Sequence, residues 1–76
     1  MRFEVGEIIT LDSNGKDYLV VKEVNYDNKN YYYLMTAKKP LEILIVELKV
    51  QDGREVVETV TDKDVLNNVM KLISEE

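Results

Sequence analysis

The stretch that decides the fold is DNKNYYYLMTAKKP, residues 27–40, in which a polar cluster leads into three consecutive tyrosines and the run ends at Lys38-Lys39-Pro40. Asp27 to Asn30 are of the types that reverse a chain. Pro40 lacks the amide donor that the interior of a strand requires. Residues 31–37 between them read as one strand, and the question is which of its tyrosines alternation sends inward.

The preceding segments supply the frame. EIITLD (7–12) and DYLVVKEVNY (17–26) read as strands joined through Asn14-Gly15, a strong hairpin signal because both residues tolerate positive φ. Even-length reversals at Asn14-Gly15 and at 27–30 set Leu11 opposite Tyr18, Ile9 opposite Val20, Tyr26 opposite Tyr31 and Val24 opposite Tyr33. One face then collects Ile9, Leu11, Tyr18, Val20, Val24, Tyr26, Tyr31, Tyr33, Met35 and Ala37. The other carries Ile8, Leu19, Val21, Tyr32 and Leu34 among Thr10, Glu23, Asn25 and Thr36. On this sorting Tyr31 and Tyr33 line the core, and Tyr32, beside Asn25, is a partly exposed contact residue.

Downstream, EILIVELKVQ (42–51) and REVVETV (54–60) flank Asp52-Gly53, a second two-residue hairpin signal. It sets Leu48 opposite Val57, Val46 opposite Thr59 and Glu47 opposite Glu58. From Thr61 the period changes to that of a helix: Val65, Leu66, Val69, Met70 and Ile73 recur on one side with Leu72 beside them. Thr61 or Asp62 can cap it, and Asp64 suits the positive end of the helix dipole. The expected fold is α+β: a five-stranded antiparallel meander curved into an SH3-like half-barrel, its concave side closed by one C-terminal helix at about 62–75. All 76 residues form a single domain.

Composition excludes several classes of chemistry. The chain has no His and no Cys, so disulfides, thiolate metal sites and the commonest general bases are missing. Its serines are Ser13, in a turn, and Ser74, near the end of the helix, and neither stands beside a candidate base. Gly15-Lys16 lacks the rest of a phosphate loop, and DSNGKD (12–17) fails as a calcium loop because Lys16 occupies a ligand position. Glu47 and Glu58 are the best acid and base candidates, but Lys49 and Arg54 can neutralise them as ordinary surface charge. The sequence therefore reads as non-enzymatic, with no cofactor and no metal.

Net charge is -5, and it is uneven: residues 1–41 hold six basic and six acidic side chains, residues 42–76 four and nine. Such a surface disfavours nucleic acid and anionic lipid. MRFEVGEIIT lacks the apolar core of a signal peptide, and the apolar run ILIV (43–46) is far too short to span a bilayer. With no cysteine, a cytoplasmic location and no membrane association are expected.

What remains is an interaction or regulatory domain. It would bind a protein partner, or a second copy as a homodimer, through a sheet edge or an exposed patch. The patch expected from the sorting is Ile8, Tyr32 and Leu34, rimmed by Lys38 and Lys39. The alternative is a nucleic-acid-related role, either weak single-strand binding at Tyr32, Lys38 and Lys39 or an acidic mimic formed by residues 42–76.

VGEIITLDSNGKDYLVV, then YYYLM, then the acidic VTDKDVLNNVMKLI segment together resemble the short acidic bacterial proteins of the domain-of-unknown-function twelve-ninety-two type. The likeness lies in the strand, turn and terminal-helix plan over nearly the whole chain, with the triple tyrosine and KKP as departures. It implies no activity, substrate or site residue.

Overall fold

A computed structural model describes residues 3–12 and 14–75. Ser13, assigned above to the first turn, lies outside the described residues. The strands are β1 (Ile8–Thr10), β2 (Asp17–Tyr26), β3 (Lys29–Thr36), β4 (Ile43–Gln51) and β5 (Arg54–Thr59), followed by helix α1 (Lys63–Ser74). They form one sheet in the order β1-β2-β3-β4-β5, every neighbouring pair antiparallel. The sheet curls into a half-barrel with one C-terminal helix, the expected α+β architecture.

Turn chemistry sets the registers. Asp27 and Asn28 adopt φ of 53° and 60°, and Asp52 and Gly53 adopt 51° and 75°, the doubly positive pattern of a type I′ hairpin. The second turn pairs Glu47 with Glu58 and Leu48 with Val57, as expected. The first is tighter than the expected 27–30 reversal, so Val24 pairs with Tyr31 and Tyr26 with Lys29. Around Asn14-Gly15 the loop is longer than two residues. Leu11 N donates to Lys16 O at 3.0 Å, and Ile9 pairs with Tyr18. Both registers move by two positions from expectation, which by itself leaves the faces unchanged.

The faces are changed by a β-bulge. Val20 lies opposite Leu34 and Lys22 opposite Tyr33, so Val21 is an extra residue without a partner on β3. Tyr18 and Val20 therefore share a face with Tyr32 and Leu34, whereas Val24 and Tyr26 share the opposite face with Tyr31 and Tyr33. The single apolar face expected from alternation is in fact two.

Each face has its own core. On the concave side Leu11, Tyr18, Val20, Tyr32, Leu34 and Val46 are buried, joined by Ile9 from β1 and Leu48 and Val57 from β4 and β5. On the convex side Val24, Tyr31 and Ile45 pack with Val69 of the helix, and Val65, Leu66, Leu72 and Ile73 surround them. The helix thus lies on the convex face and does not close the concave one. Met70, expected on the packing stripe, is exposed, and Leu72 takes part instead.

The helix ends are well matched to their charges. Asp62 is the N-cap, accepting from Asp64 N at 2.9 Å and Val65 N at 3.3 Å. At the far end Lys22 Nζ donates to Ile73 O at 3.4 Å, placing a cation on the last-turn carbonyls that the dipole makes negative. No helix among the described residues is long and apolar enough to cross a membrane.

Candidate interaction surface

The structure separates the five residues expected to form a contact patch. Tyr32 and Leu34 are fully enclosed, both at 0% exposure, and cannot touch a partner. The cause is the bulge, which turns the Tyr32 face into the concave core. Its ring stands edge-on to Phe3 with centroids 5.1 Å apart, and its hydroxyl donates to Glu23 Oε2 at 2.8 Å. With Tyr32 inside, the expected base-stacking surface loses its ring. Ile8 is 62% exposed as expected, and Lys38 and Lys39 are exposed in the loop between β3 and β4.

Ile8 has other neighbours than those expected. It pairs with Leu19, Leu19 with Met35 and Met35 with Ile43, so four apolar side chains stand side by side across β1 to β4. They lie on the convex face, in phase with Tyr33 and Ile45. Leu19 and Met35 are half-buried, while Ile43 is exposed like Ile8.

Lys38 and Lys39 line a pocket of about 260 Å³ with Lys16, Thr36, Pro40 and Glu42. Thr36 organises its wall, donating through Oγ to Pro40 O at 3.1 Å and accepting from Glu42 N at 2.8 Å. Lys16 Nζ donates to Glu42 Oε1 at 2.8 Å, and this bond holds the ammonium pKa above its usual value.

Glu47 and Glu58 are direct cross-strand neighbours, as expected. Lys49 Nζ approaches Glu58 Oε2 to 2.9 Å, and the hydrogen bond raises the Lys49 pKa. The neighbouring Tyr31 hydroxyl is pushed above its ordinary pKa, first by burial and then by the charge of Glu47. Among the described residues no group of three or more acidic side chains is arranged to hold a metal ion.

An opening lies where the sheet fails to close. A cleft of about 470 Å³ separates β1 from β5, with Ile9, Leu11, Leu48 and Val57 presenting apolar side chains and Phe3 at its inner wall. Thr10, Val56 and Thr59 also line it, and among the described residues its charged lining is Asp12 and Glu55, both acidic.

The strand edges bordering this cleft have a defined hydrogen-bonding pattern. Glu7 O accepts from Val20 N at 2.9 Å and Leu11 N donates to Lys16 O at 3.0 Å on either side of β1, so Ile9, in phase with both, faces the β2 side. By antiparallel alternation, Ile8 and Thr10 aim their N–H and C=O groups away from β2. On the other side Val60 N donates to Ile45 O at 2.9 Å, in phase with Glu58 and Val56, and Glu55, Val57 and Thr59 aim theirs away from β4. Two edges with outward peptide groups thus border one apolar cleft.

Ile9, Leu11, Leu48 and Val57 are recognisable from the sequence as strand residues, but their periodicity does not bring β1 and β5 together. The strand count was the available signal, because a five-stranded meander leaves its first and last strands as edges. No family model matches the chain, and no curated protein or solved structure matches it.

Proposed function

We propose that the protein is a small non-catalytic interaction domain that binds a protein partner at the open edges of its half-barrel. The observation that carries this reading is the apolar cleft between β1 and β5, bordered on both sides by outward-facing peptide groups. Exposed edges are templates for an added strand, and apolar clefts gain free energy when water leaves them. Ile8 belongs to this surface through its backbone. Tyr32 and Leu34 support it from beneath.

A cysteine-free chain is compatible with a reducing cytoplasm, and that location is part of the proposal. Kinship with the twelve-ninety-two family rests on the strand, turn and helix plan and is proposed on that ground alone.

The test is site-specific photocrosslinking in cell extract. A crosslinker at Val56, on the cleft, should capture a discrete partner that one at Asn67, on the exposed side of the helix, does not. Equal capture at both positions, or none at either, would refute the edge as the binding surface.

A further inference from the structure

We infer that the cleft receives an extended segment of another protein as a sixth strand, antiparallel to both β1 and β5, with apolar side chains at alternate positions and a basic residue near Asp12. This rests on the reading of the domain as an edge-binding module and adds the conformation, direction and chemistry of what it binds.

Direction follows from the strand count. All four neighbouring pairs are antiparallel, so β1 and β5 run the same way. Direct closure would require a parallel ladder between them. One inserted strand running the opposite way makes an antiparallel ladder with each.

The peptide groups impose the same parity. Ile8 and Thr10, which aim outward from β1, carry convex-face side chains, whereas Val57 and Thr59, which aim outward from β5, carry concave-face side chains. In an extended segment, residues that bond to one side alternate with residues that bond to the other, and their side chains alternate between faces in step. A single strand can therefore satisfy both edges at once. Its concave side chains enter the space among Ile9, Leu11, Leu48 and Val57, which calls for apolar residues. A convex side chain bonded opposite Ile8 would continue the row Ile8, Leu19, Met35 and Ile43, covering a residue that is otherwise 62% exposed.

Charge selects a partner over a second copy. The chain carries a net charge of -5, and Asp12 stands at the cleft. Another copy would add like charge, whereas a lysine- or arginine-bearing segment would be drawn in.

The experiment uses the full isotope-labelled chain and two synthetic peptides with valine at alternate positions, one with lysine and the other with glutamate between them. Support would be at least tenfold tighter binding of the lysine peptide, with tenfold slower amide exchange at Ile8, Thr10, Val57 and Thr59. Asp12→Lys should cut that preference at least threefold. Thr59→Pro should abolish binding while leaving the β4–β5 ladder intact, since the Thr59 N–H faces the cleft.

Several results would overturn the inference: no binding of either peptide, equal binding of both, undiminished binding by Thr59→Pro, or shifts confined to the Lys16, Lys38 and Lys39 pocket. Concentration-dependent dimerisation that protects the same amides without peptide would also do so. A partner crosslinked at Val56 alongside a failed peptide test would leave the edge-binding function standing and refute only the added strand.

Discussion

Replacing Tyr32 tests the bulge and the two-core arrangement together. Tyr32→Ala removes a fully enclosed ring packed edge-on against Phe3, a loss that costs about 3–5 kcal/mol at buried aromatic positions. At the usual stability per residue, a chain of 76 residues holds about 4–11 kcal/mol in total. The variant should therefore lose about a quarter or more of its stability. Tyr32→Phe keeps the ring and removes only the hydroxyl that donates to Glu23 at 2.8 Å, which should cost about 1–2 kcal/mol. Urea unfolding followed by far-ultraviolet circular dichroism separates the two, with the denaturant slope unchanged if only the native state is affected. The melting temperature should fall by about 4–8 °C for each kcal/mol lost. Loss of less than about 1 kcal/mol in Tyr32→Ala would refute the burial of this ring. Equal losses in the two variants would show that the hydroxyl, and not the ring, is what matters.

Other expectations follow from burial, capping and titration. Val24→Asp places a charge in the convex core beside Val69 and should cost about 4 kcal/mol or more, whereas Ile43→Thr, at an exposed position, should stay within about 0.5 kcal/mol in the same urea assay. Asp62→Ala removes the cap accepting from Asp64 N and Val65 N and should lower stability by about 1 kcal/mol, read as the shift of the thermal midpoint. Tyr31 holds its proton longer in the folded chain than in the unfolded one. Stability should thus be complete below its ordinary pKa of about 10 and decline as pH rises through the higher folded value. Alkaline absorbance titration should show a late phenolate step that Tyr31→Phe removes.

Much of the fold was legible because its turns carry their own chemistry. Asp52-Gly53 set the β4–β5 register residue by residue, and Asp62 with the period beginning at Val65 placed the helix. The faces around the tyrosines were not legible. In β2 Tyr18, Val20, Val24 and Tyr26 keep one sequence parity, with Lys22 as the polar residue in that series, so the pattern is the same whether the strand keeps one face or switches at Val21. Because both faces of the sheet are covered, either choice buries these side chains. Val21, apolar but out of phase, was the local hint. Of the residues expected in the patch, Ile8 is exposed, while Tyr32 and Leu34 are enclosed because the bulge turns their face inward. The cleft between Ile9 and Val57 depends on curvature that joins the two ends of the sheet, which local periodicity does not encode.

The extra residue at Val21 has a mechanical consequence. Neither apolar cluster is large, and a single strand threads both, anchoring one through Tyr18 and Val20 and the other through Val24 and Tyr26. Pulling that strand loose at either end would slacken the opposite side of the sheet as well. Helix undocking and barrel opening should accordingly belong to one melting event, and a ligand that tightens the rim would also fasten the helix behind it.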